Sequence, residues 1–419
     1  MLINTQFDIV FCLHLYAESR INVFTKVNNA LFTFVNMIPL SEITTCFEHH
    51  LETRLKGRYI CFNHIKPILS EYENLGLVEV AGYSEKGEEI ALLKIGNGAK
   101  KVLAWSQMHG NESTTTKAVF DFLRFLTQGA QFKSVIESFK ENYTFFVIPM
   151  LNPDGAGVYS RENAHGIDLN RDASNLTQRE SKVLRKVFKE IKPDMCLNLH
   201  DQRTIYNLPN GKPATLSFLS PAADLSLSVT ESRTTSMLAI AHVNQVLQKL
   251  IPGQVGRYDD TFNNNCVGDT FQSLGVATIL FEAGHYPEDY EREITRKYLF
   301  FSFLALFNLI EVEAMDNISL QDYFSIPENE KNFSDVILRN VLLAKKTVDI
   351  VIQFQEKLID GQIRFIPVIE DIVDKSFKKG HKEIDLGKNE ILINSHENVF
   401  VNEEIATISY KNLKKSIFF

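Results

Sequence analysis

Val102-Leu-Ala-Trp-Ser-Gln-Met-His109-Gly-Asn-Glu112 is the stretch on which the reading of this chain turns. Residues 102–105 are four apolar residues in a row, as in a strand buried on both faces. The polar run beyond them ends the strand and delivers His109 and Glu112, three residues apart. A catalytic zinc ion takes three protein ligands and keeps one position open, and two imidazoles with one carboxylate form a standard set. His200 is the third candidate ligand. A short His-x-x-Glu is common by chance, so the weight falls on the blocks downstream of residue 112.

Those blocks come in a fixed order. Tyr143-Thr-Phe-Phe-Val-Ile148 reads as a strand and leads into Pro149-Met-Leu-Asn-Pro-Asp-Gly155, then Arg161, then Gly166-Ile-Asp-Leu-Asn-Arg171. The apolar run Met195-Cys-Leu-Asn-Leu199 delivers His200, and Ala277-Thr-Ile-Leu-Phe281 delivers Glu282, with Ala283-Gly284-His285 next. In this order the blocks resemble the metallocarboxypeptidase family, the carboxypeptidase A-like zinc peptidases, in a bacterial-type form with an extra C-terminal domain. The resemblance spans roughly residues 55–312.

Apolar runs alternate with amphipathic helical stretches. Ser113 to Leu126 places Val119, Phe122, Leu123 and Leu126 on one face. Thr177-Gln-Arg-Glu180 has capping-box spacing before Val183, Leu184, Val187, Phe188 and Ile191. The predicted fold is α/β, with a mostly parallel, mixed central sheet covered by helices on both faces. Ligands of such sheets gather at the carboxyl ends of strands, where His109, His200 and Glu282 fall. After about Met315 the texture changes. Residues 334–346 read as a helix, whereas 347–354, 361–369, 390–394 and 399–410 read as strands, which predicts a small β-rich accessory domain. The predicted division is 1–36 as an N-terminal extension, 37–315 as the catalytic domain and 316–419 as the accessory domain. His381 and His396 read as surface histidines.

Composition bounds the function. The 419 residues are 44% hydrophobic and 23% charged, ordinary for a globular protein. A net charge of −8 argues against a nucleic-acid surface, because phosphate binding needs clustered Lys and Arg. Five scattered cysteines without a Cys-x-x-Cys pair suit free thiols in a reducing compartment, and a cytoplasmic location is expected. Residues 6–16 carry Asp8 and His14 and make a poor signal peptide, and no stretch approaches a membrane helix.

The resemblance implies a role for each site residue. His109, Glu112 and His200 would hold one zinc per chain, and Glu282 would serve as general base and then general acid. Arg161 would face the developing oxyanion, while Asn170 and Arg171 would grip the substrate's terminal carboxylate. Tyr258 is the candidate for the family's mobile tyrosine, although Arg257-Tyr-Asp-Asp-Thr-Phe262 matches that pattern loosely. Asp168 and Asn198 read as groups that orient ligands, and His285 as a local hydrogen-bonding residue. Two departures reshape the cleft: the usual Asn-Arg-Asn-Phe is Asn170-Arg171-Asp172-Ala173, and Asp201-Gln-Arg203 comes after His200. The implied activity is that of a zinc-dependent metallocarboxypeptidase acting on a peptide or peptide-like substrate, cell-wall and isopeptide-linked substrates included. The alternatives are a zinc amidohydrolase of small N-acyl amino acids, resembling aspartoacylase, and a catalytically silent binding protein.

Overall fold

The computed structural model describes residues 37–311, 318–411 and 416–417. The expected extension at 1–36 and the expected boundary at 315/316 lie outside the described residues. In chain order the first strands are β1 (Ile38–Pro39), β2 (Val78–Tyr83), β3 (Glu89–Ile95), β4 (Lys100–Trp105) and β5 (Tyr143–Ile148). After them come β6 (Met195–Asp201), β7 (Leu216–Leu219), β8 (Val255–Arg257), β9 (Ala277–Ala283) and β10 (Ile310–Glu311). Strands β2 to β9 form one eight-stranded sheet in the order β2-β3-β5-β4-β6-β9-β7-β8. The four central strands β5, β4, β6 and β9 run parallel. On either side of them, β3 lies antiparallel to β5 and β7 antiparallel to β9.

The apolar runs are continuous because both faces are covered. Side chains alternate across a strand, so Val102 and Ala104 enter one core with Leu197, Leu199, Ile279 and Phe281, against helices Thr114–Gln128, Glu231–Gln248 and Glu293–Leu306. Leu103, Trp105 and Cys196 enter the opposite core, against Val183, Leu184, Val187 and Phe188 of helix Arg179–Ile191. The predicted two-faced α/β sheet is therefore the one that forms. The expected capping box is not: helix Arg179–Ile191 starts after Gln178 without a side-chain cap. The Thr177 hydroxyl instead donates to Asp172, and Glu180 accepts from the Glu85 amide, because both side chains satisfy neighbouring loops rather than each other.

Beyond the central sheet lie β11 (Phe333–Leu343), β12 (Lys346–Ile359), β13 (Gln362–Val373) and β14 (Lys379–Asp385), in the order β13-β12-β11-β14. A smaller sheet joins β15 (Ile391–Ile393), β16 (Ile408–Tyr410) and β17 (Ser416–Ile417). The β-rich texture is as expected, but the helix expected over 334–346 is the strand β11. It is sandwiched between β12 and β14, and the pairing on both edges outweighs its local helical pattern. His381 also departs from its surface reading. It packs on His285, just after β9, and on Phe333 of β11, with ring centroids 4.2 and 4.7 Å away, and its Nε2 lies 2.8 Å from the Thr204 carbonyl. Among the described residues no helix is long and apolar enough to cross a membrane.

Candidate metal centre

Strand β4 ends at Trp105, and the chain turns through Gln107, whose φ of 48° is left-handed. Its side-chain amide holds that turn by donating to the carbonyls of Ile60 at 2.6 Å and Gly110 at 2.8 Å. Asn152, from the Asn-Pro-Asp-Gly block, braces the same loop by donating to the Met108 carbonyl at 3.1 Å. Gly110 has to be glycine, since a Cβ there would lie 2.1 Å from the backbone of Gly155. These contacts aim His109 and Glu112 inward, and both are buried.

His200 arrives from the neighbouring parallel strand. One ligand atom from each of His109, Glu112 and His200 lies within 4.8 Å of the others. Glu112 Oε1 is 2.8 Å from His109 Nδ1, Glu112 Oε2 is 2.8 Å from His200 Nδ1, and the two Nδ1 atoms are 3.1 Å apart. His109 Nε2 faces Asp168 Oδ1 at 2.9 Å, so the ring donates there and turns the lone pair of Nδ1 into the cluster. Two imidazole lone pairs this close repel each other unless a proton or a cation lies between them. Two imidazoles and one carboxylate are a donor set that fits a catalytic zinc ion.

Burial would lower the His109 pKa, but the facing carboxylates of Glu112 and Asp168 outweigh it and raise it. Burial pushes His200 below its ordinary pKa and favours the neutral, ligating form. Burial would raise Glu112, but the facing His109 and His200 outweigh it and hold the carboxylate well below the ordinary range. Burial would raise Asp168 too, and there His109 and Arg161 prevail and hold it low.

Glu282 pairs in register with His200 across β6 and β9. Adjacent strands are about 4.8 Å apart and paired residues share a face, so this carboxylate stands beside the ligand set. Burial, then the nearby carboxylates of Glu112 and Asp201, push its pKa well above the ordinary range, and its Oε2 is buried without a partner. Arg161 reaches the same cluster: its guanidinium lies 3.1 Å from Glu112 Oε1 and 3.0 Å from Asp168 Oδ2, with the side chain 44% exposed.

The remaining expected residues lie further out. Asn170 donates its backbone N–H to Asp168, and its side-chain oxygen accepts from Val267. Arg171 is exposed and lies on the Asn170 carbonyl and Cys266 Sγ, outside the ligand cluster. The Tyr258 hydroxyl is 2.5 Å from that of Tyr206, and burial together with the charge of Glu282 raises its pKa. His285 is not the hydrogen-bonding residue expected: both ring nitrogens are buried without partners. Among the residues the sequence did not single out, Gln107, Arg58 and Tyr206 carry no local signature, because their partners come from distant parts of the chain.

Residues 63–265 match the model of the zinc carboxypeptidase family. The chain is 26% identical over 112 residues to carboxypeptidase SOL1 of Arabidopsis thaliana, a match covering 24% of this chain and 23% of that protein. Thus the chain matches under a quarter of that relative's length. Among solved structures it is similar to a candidate carboxypeptidase A of Shewanella denitrificans, at 16% identity and a TM-score of 0.50, covering 59% of this chain and 68% of that one. A metallo-carboxypeptidase of Burkholderia cenocepacia matches at 18% identity and a TM-score of 0.48, again over 59% and 68%. The matched segment runs from before the His109–Glu112 pair to beyond His200, so this part of the chain, just under half of it, is similar to the zinc carboxypeptidase family.

Proposed function

We propose that the protein is a metallocarboxypeptidase that hydrolyses the C-terminal amide bond of a peptide, with Glu282 as general base. The observation that carries this reading is the register pairing of Glu282 with His200, which sets a carboxylate of raised pKa beside a two-histidine, one-glutamate ligand set. His109, Glu112 and His200 would hold a zinc ion, which would supply Lewis acidity and lower the pKa of water at the site. Glu282 takes the proton from the attacking water and passes it to the leaving amine, a role worth about 10² to 10⁴ in rate. Arg161 directs a fixed positive charge toward the carbonyl oxygen as it becomes negative. Tyr258, paired with Tyr206, closes over the bound terminus.

Asn170 and Arg171 hold the terminal carboxylate, the guanidinium through two parallel hydrogen bonds. Arg171 is exposed before substrate arrives, so the lower end of the cost of unpairing such a charge applies, about 2 kcal/mol. Amidating the C-terminus of a peptide substrate should then reduce kcat/KM about thirtyfold. Arg171→Ala should slow cleavage of the free acid by a similar factor and erase the difference between acid and amide. Equal cleavage of acid and amide by the unmodified enzyme would defeat the carboxypeptidase reading. The unpaired state of Cys46, Cys61, Cys196 and Cys266 supports work in a reducing compartment such as the cytoplasm.

A further inference from the structure

We infer that Glu356, on strand β12 of the C-terminal β region, is a positioning residue for the metal centre. Its carboxylate reaches out of its own sheet to two segments that each lead to the site. Oε1 lies 3.1 Å from Arg58 Nη1, and Oε2 accepts a short hydrogen bond from the Tyr159 hydroxyl. Tyr159 sits two residues before Arg161, at a left-handed φ of 57° where the chain leaves its helix and turns toward the cluster. Arg58 is 5% exposed, and its other arm faces Asp201 Oδ2 at 3.9 Å.

Asp201 is the residue after His200, and it ties the ligand set together. Its backbone N–H donates to Glu112 Oε2 at 3.1 Å. Its side chain accepts from the amide of Thr114 at 3.1 Å and from the Thr114 hydroxyl at 2.6 Å, anchoring the helix that begins just after Glu112. At 3.9 Å the Arg58–Asp201 contact is too long to be a hydrogen bond, so the closer carboxylate of Glu356 is what fixes the guanidinium beside Asp201. Docking alone does not call for such a group, because the same interface already has the ring contacts of Tyr290 with Phe354 and Phe365, at 5.2 and 5.3 Å. The carboxylate thus couples the C-terminal sheet to the path of Arg161 on one side and to Asp201 and Glu112 on the other.

This inference rests on the reading of His109, Glu112 and His200 as zinc ligands. The test uses the full zinc-loaded chain in four forms: unmodified, Glu356→Ala, Glu356→Gln and Tyr290→Phe. Tyr290→Phe removes a 3.0 Å hydrogen bond to Asp335 in the same interface without touching Arg58 or Tyr159. Misplacement of catalytic groups by an ångström costs up to about a hundredfold, so Glu356→Ala should lower kcat by about tenfold to a hundredfold while KM changes less than about twofold. Glu356→Gln, which keeps an acceptor for Tyr159, should recover part of the loss, and Tyr290→Phe should match the unmodified enzyme. Zinc release to a chelator is followed on the same proteins and needs no substrate, so it remains informative if the peptidase reading fails; Glu356→Ala should release zinc faster. The inference is overturned if Glu356→Ala keeps both kcat and zinc retention, or if Tyr290→Phe loses as much as Glu356→Ala does.

Discussion

His109 shows how one side chain is committed to a task by its two ends. Asp168 accepts a hydrogen bond from Nε2–H, and that leaves Nδ1 to face Glu112 and His200. Replacing His109 or His200 by Ala should remove zinc and hydrolysis together, whereas the unmodified protein should carry about one zinc per chain. Metal analysis of the purified proteins checks this, and tight stoichiometric zinc in both variants would sink the ligand assignment. Glu282→Gln keeps the shape and removes the titrating group. It should retain zinc and lower kcat by about 10² or more. Steady-state kinetics on metal-loaded protein decide the matter, and unchanged turnover would move the base role to another group.

At the scale of elements, the site depends on strands that end together and on loops packed backbone to backbone. The turn after β4 lies against the start of helix Pro153–Val158 so closely that Gly110 admits no side chain. Gly110→Ala should therefore force the His109–Glu112 loop outward, with a loss of about 1 to 3 kcal/mol of stability and weaker zinc retention. Thermal unfolding together with chelator competition measures both effects; a variant with unaltered zinc affinity would show that the loop adjusts without moving its ligands.

On the scale of the whole molecule, the interface between the central sheet and the C-terminal sheet buries two histidines against each other, His285 and His381. Burial lowers His381 to about 4 and lowers His285 as well, the latter also because His381, Arg292 and Arg58 are near. A histidine whose pKa is depressed on folding binds fewer protons in the native state than in the unfolded one, so its contribution is present above about 6.5 and is lost as pH falls toward 4. The loss from His381 is on the order of 2 to 3 kcal/mol. Stability should decline over that window, and His381→Gln should flatten the decline. Denaturant melts at pH 7 and pH 4.5 test this, with an equal decline in both proteins counting against the account.

The two-faced sheet and the candidates for the ligand set and the base are legible in the chain alone. Each of these is written locally: a continuous apolar run has only one stable environment, and each candidate ligand stands at or just beyond the end of such a run. Arg161 and Asp168 were legible for a related reason, since they lie on one short segment whose order matches the family. The identity of β11 was not legible. Residues 334–346 suit a helix in isolation, and only pairing with β12 and β14 makes those up to Leu343 a strand. Nor were the placements of Glu356, His381 and Arg58, each of which touches groups that are distant in the chain. Such contacts depend on how two sheets are set against each other, and a local pattern of side chains carries no record of that placement. Long-range packing sets which of the unremarkable charges meet the candidate metal centre, because a buried charge holds its position only where the fold brings its counter-charge.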